Sequence, residues 1–96
     1  MADLKEVMVL LRNKKTYLQK KYAIRYLAVF GSISRQTYGP DSDVDILVDF
    51  TKTPGIGFID LADELEDMLQ AKVDLVSRNA IKPAYFEKIQ KDIKYV

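Results

Sequence analysis

Three aspartates and a glycine–serine pair are the residues of this 96-residue chain whose types and spacing suit them to chemistry. In "DSDVDILVDF" (41–50) aspartate recurs at alternate positions. Side chains alternate across a strand, so Val44, Ile46, Val48 and Phe50 point one way while Asp43, Asp45, Leu47 and Asp49 point the other. At a rise of about 3.3 Å per residue, Asp43 and Asp45 have Cα atoms roughly 6 to 7 Å apart on one side, near enough for each to disfavour ionisation of the other. A divalent cation would resolve that conflict. Mg²⁺ is a hard ion that takes carboxylate and phosphate oxygens and keeps several waters, so an open carboxylate pair suits it better than a cage. Asp74, alone between Val73 and Leu75, repeats the pattern and joins the pair if its strand is a neighbour. Upstream, Gly31–Ser32 closes an apolar strand where backbone N–H groups attract anions and glycine lets a phosphate approach. Ser32 adds a hydroxyl, and Arg35 a planar fork for a phosphate oxygen. A phosphate cradle beside a metal clamp is the equipment of phosphoryl or nucleotidyl transfer.

Composition narrows the alternatives. With no cysteine and no histidine, the chain cannot build thiol or imidazole zinc sites, a histidine-activated nucleophile or a disulfide framework. No apolar run approaches the roughly 18 to 20 residues of a membrane span, which predicts a cytoplasmic protein with no membrane partner. Asp41 to Asp74 holds ten acids against two bases, Lys52 and Lys72, whereas the rest holds four acids against thirteen bases. Asp41, Asp43 and Asp45 sit at positions 1, 3 and 5 of a calcium-loop pattern, but Ile46 stands where glycine is needed and Lys52 where glutamate is, which excludes it. The cluster Lys14, Lys15, Lys20, Lys21 and Arg25 reads as a solvated helix end, and direct nucleic-acid binding is not expected. Asp49 lies outside the aspartate pattern and reads as a solvated strand end.

The elements that must position these residues follow from periodicity. Asp3 with Glu6 three residues on is a capping-box variant, and Leu4, Val7, Met8, Leu11 and Leu18 then keep helical spacing, predicting a helix over 4–21. "AIRYLAVF" (23–30) predicts a strand stopped by Gly31. A short helical turn fits around Ser34 to Thr37, before Tyr38-Gly39-Pro40 forces a bend. A strand over 43–50 follows, then a Pro-Gly loop and a helix carried by Phe58, Leu61, Ala62, Leu65, Met68 and Leu69. "KVDLV" (72–76) is a third strand, and Pro83 opens a last helix through Phe86, Ile89 and Ile93. The order predicts one α/β (α+β) domain over 1–96, a small sheet with helices mainly on one face.

"GSISRQTYGPDSDVDILV" fits G-S-x(10)-D-x-D, and on this motif, with Arg35, Ser42 and Asp74, the chain resembles the minimal nucleotidyltransferase family of the DNA polymerase β-like superfamily. The resemblance implies a mixed sheet, two Mg²⁺ ions held by Asp43, Asp45 and Asp74 as catalytic residues, and nucleotide binding by Gly31, Ser32, Arg35 and Ser42. It further implies transfer of a nucleoside monophosphate, AMP from ATP, to a hydroxyl of a partner protein. Many similar chains are antitoxins of HEPN/MNT toxin–antitoxin pairs, so a HEPN toxin is the implied partner. The alternative is a non-catalytic antitoxin or nucleotide sensor that neutralises a HEPN ribonuclease by occlusion. Whether copies of the chain assemble with one another is left open by the sequence.

Overall fold

The computed structural model describes residues 3–37, 39 and 42–96. The Asp3 carboxylate accepts a hydrogen bond from the Glu6 N–H at 2.8 Å and starts helix α1, Leu4–Tyr22. Ala23 adopts a left-handed conformation (φ 55°) and returns its N–H to Gln19 O, so the chain passes in one residue into strand β1, Ile24–Phe30. A four-residue helical turn α2, Gly31–Ser34, follows at once. Strand β2 is Val44–Phe50, helix α3 is Gly57–Leu69 and strand β3 is Val73–Ser77. Helix α4, Pro83–Ile89, tightens into a 3₁₀ turn over Gln90–Asp92 before a short strand β4, Lys94–Tyr95.

The four strands lie in the order β3-β2-β1-β4. β1 runs antiparallel to β2 and to β4, and β2 runs parallel to β3 because α3 carries the chain back across the sheet. On one face Val44, Ile46, Val48 and Phe50 pack with Val7, Leu11 and Leu18 of α1 and with Leu61, Leu65 and Leu69 of α3. Each such side chain removed from water contributes about 1.5 to 3 kcal/mol, so this layer dominates the stability. The opposite face is closed by α4, where Phe86 and Ile89 meet Phe30, Ala28 and Leu47. No helix among the described residues is long and apolar enough to cross a membrane.

Four expectations change. The helical turn starts at Gly31 rather than Ser34, because Gly31 takes φ +72° at the strand end and bends the chain there. The last helix stops at Ile89, and Ile93 is extended (ψ 126°), since Lys94–Tyr95 pair with Ala28 and Val29 on the free edge of β1. Asp49 is not solvated: it is 7% exposed and held by Arg25 at 2.9 Å. The basic helix end is likewise partly tied down, with Lys15 on Val96 O and Lys21 on Glu64. Tyr38, Pro40 and Asp41 lie outside the described residues.

Candidate active site

Register brings the chemistry together. Asp45 pairs with Phe30, the last residue of β1, on one side and with Asp74 of β3 on the other. The carboxylate of Asp45 therefore stands between the β1–α2 corner and the carboxylate of Asp74. Its fit against the corner depends on Gly31 having no side chain: a Cβ there would overlap Asp45 Oδ2 and lie 3.0 Å from its Cγ. The left-handed φ of Gly31 excludes most other residues independently. The glycine was read from the sequence as an opening for phosphate. It is first an opening for Asp45.

Burial pushes the Asp45 carboxyl up, and the negative charges of Asp74 and then Asp43 push it further, to about 6. Arg35 opposes this weakly. The repulsion among these carboxylates is a conflict that a cation placed between them would relieve. Asp43 and Asp74 are exposed. Among the described residues no three carboxylates are gathered into a single ready cage. The Asp45 carboxylate beside that of Asp74 is an open pair, and such a pair suits Mg²⁺, which binds through one or two carboxylates and completes its shell with water and substrate phosphates.

A cleft of about 480 Å³ opens on this corner, lined by Gly31, Ser32, Arg35 and Asp45 and, across from them, by Tyr85, Lys88, Lys91 and Asp92. Three of the four expected nucleotide-binding residues, Gly31, Ser32 and Arg35, line it. Ser42 does not, among the described residues: it shapes the approach to Asp43, accepting the Gly39 N–H on its hydroxyl at 3.1 Å and donating its own N–H to Gly39 O at 3.0 Å. Arg35 is already engaged, its guanidinium on Asp92 Oδ2 at 2.8 Å, although its other donors remain. Ser34 donates to the backbone oxygen of Asp92, so two bonds fasten the 3₁₀ turn to α2. Sequence reasoning missed Tyr85, Lys88, Lys91 and Asp92. The signal present was the i, i+3, i+6 spacing of the first three, inside the helix that Pro83 opens.

Residues 12–96 match the polymerase beta nucleotidyltransferase family. The chain belongs to that family. MJ0128 of Methanocaldococcus jannaschii is 43% identical over 98 residues and covers the whole of both chains. Protein adenylyltransferase MntA of Thermococcus cleftensis is 37% identical over 97 residues, covering 100% of this chain and 98% of that one. A solved structure named as a minimal nucleotidyltransferase superposes with a TM-score of 0.81 at 28% identity, covering 97% and 95% of the two chains. A solved toxin–antitoxin structure with AMP-PNP gives 0.71 at 27% identity, covering 86% of this chain and 69% of that one. This nucleotidyltransferase domain has the mixed sheet expected of it, and its sequence motif falls on the β1–α2 corner and the start of β2.

Proposed function

We propose that this nucleotidyltransferase moves AMP from ATP onto a hydroxyl of a partner protein with Mg²⁺, and that the partner is a HEPN-type toxin for which it serves as antitoxin. The observation that carries the chemistry is Asp45, lodged between the Gly31 corner and Asp74 with its proton affinity raised. The named activity of MntA and the toxin–antitoxin structure with AMP-PNP support the acceptor and the nucleotide.

In this reading the first N–H groups of α2 and the Ser32 hydroxyl hold the outer phosphates, since a helical turn leaves its leading N–H groups without partners. Asp43, Asp45 and Asp74 would hold the ions. Bound Mg²⁺ would supply neutralisation of the phosphate oxygens. Asp74, exposed beside Asp45, receives the proton of the acceptor hydroxyl as its oxygen bonds to the α-phosphorus. The bond from that phosphorus to the bridging oxygen breaks, and pyrophosphate leaves.

Labelled ATP, Mg²⁺ and a HEPN-type partner protein should yield labelled HEPN protein, with loss of label in Asp43→Asn/Asp45→Asn. Absence of transfer by wild type, where MntA labels its own partner, refutes the catalytic reading. Full neutralisation of the toxin by the double variant would shift the assignment to occlusion.

A further inference from the structure

The cleft has two walls of different character. The wall built by α2 and β2 carries Gly31, Ser32 and the Asp45 carboxylate, and its one cation among the described residues, Arg35, is paired with Asp92. A nucleoside triphosphate brings several negative charges into a site already holding carboxylates, so compensating positive charge is required. The facing wall supplies it. Lys88 and Lys91 line the cleft, and neither makes an ion pair among the described residues.

Their alignment comes from the way α4 ends. Residues three apart on an α-helix are about 60° out of line, whereas on a 3₁₀ turn they eclipse. The change of helix type at Gln90 therefore helps keep Lys91 on the side of Lys88 instead of letting it rotate away. Asp92, the next residue, is bonded to Ser34 and Arg35, which sets Lys91 beside the Gly31–Ser32 corner. Tyr85, one turn before Lys88 and 44% exposed, stands at the far end of the row.

Resting on the nucleotidyltransferase reading of this cleft, we propose that Lys88 and Lys91 form its polyphosphate-binding wall and that Tyr85 marks the end where the nucleobase lies. The β- and γ-phosphates lie between the Gly31–Ser32 corner and the two ammonium groups. The base extends toward the Tyr85 ring, which offers an apolar face for stacking.

Calorimetry with AMP-PNP and with inorganic tripolyphosphate, each with Mg²⁺, tests this on wild type, Lys88→Ala, Lys91→Ala, the double alanine variant, the double arginine variant, Tyr85→Ala and Lys94→Ala. Each cleft lysine removed should weaken both probes about tenfold, the scale of one charged hydrogen bond, and the arginine variant should bind within a few-fold of wild type. Tyr85→Ala should weaken AMP-PNP several-fold and leave tripolyphosphate unchanged. Lys94, on β4 and outside this cleft, should be silent. Equal binding by wild type and the double alanine variant overturns the wall while leaving the nucleotide site standing. A loss as large for Lys94→Ala would overturn it too, as general charge. Equal weakening of both probes by Tyr85→Ala overturns the orientation, and wild type that binds neither probe removes the nucleotide reading and this inference together. Thermal unfolding of each variant separates lost binding from lost fold.

Discussion

Replacing Asp45 with asparagine should stabilise the protein at neutral pH while removing its chemistry. Burial first, then Asp74 and Asp43, raise the Asp45 carboxyl from 3.8 to about 6. A carboxyl whose pKa rises on folding binds its proton more tightly in the native state. Its favourable contribution is therefore complete below the unfolded value and lost as pH climbs through about 6. At about 1.36 kcal/mol per pKa unit, the ionised group sets a ceiling near 3 kcal/mol of destabilisation above pH 7. Asp45 keeps partial access to water, so screening lowers this to about 1 to 2 kcal/mol. Asparagine has nearly the same shape and no charge, and should recover that amount. Thermal melts without divalent cation should show a midpoint roughly 5 to 10 °C higher than wild type at about pH 7.5, shrinking to a few degrees or less near pH 4. An asparagine variant less stable than wild type at neutral pH, or a gain of the same size at both pH values, would refute the argument.

Gly31→Ala should lose at least about 2 kcal/mol in urea unfolding, from the left-handed backbone and the overlap with Asp45, and should lose nucleotide transfer with it. Leu65→Ala empties a fully buried position between α3 and the sheet and should cost about 2 to 5 kcal/mol by the same assay, with transfer retained in the folded fraction. Arg25→Ala strands the buried Asp49 carboxylate; because Arg25 is itself largely exposed, the expected loss is about 1 to 2 kcal/mol, and adding Asp49→Asn should restore part of it. Mg²⁺ should raise the melting midpoint of wild type and leave that of Asp45→Asn unmoved.

The sheet and its two large helices were legible because their apolar residues keep strict periods: Val44, Ile46, Val48 and Phe50 at every second position, Leu61, Leu65 and Leu69 at every fourth. The motif's Gly31 falls at the end of β1 and its Asp45 within β2, as the strand pattern predicted. What stayed hidden depended on contacts distant in sequence. Asp49 reads as solvent-facing until Arg25, 24 residues earlier, is seen beside it. The stop of α4 at Ile89 has no local breaker, and is set by the pairing of Lys94 and Tyr95 with β1 and by the bonds from Ser34 and Arg35 to Asp92. Arg35 lines the cleft, but its partner there could not be read from a segment 57 residues away.

Among the described residues β3 is an outer strand, with Asp74 beside Asp45 and no further strand beyond it. On the proposed function, the carboxylates border the sheet's margin, where a bulky folded acceptor would present its hydroxyl sideways to the strand edge.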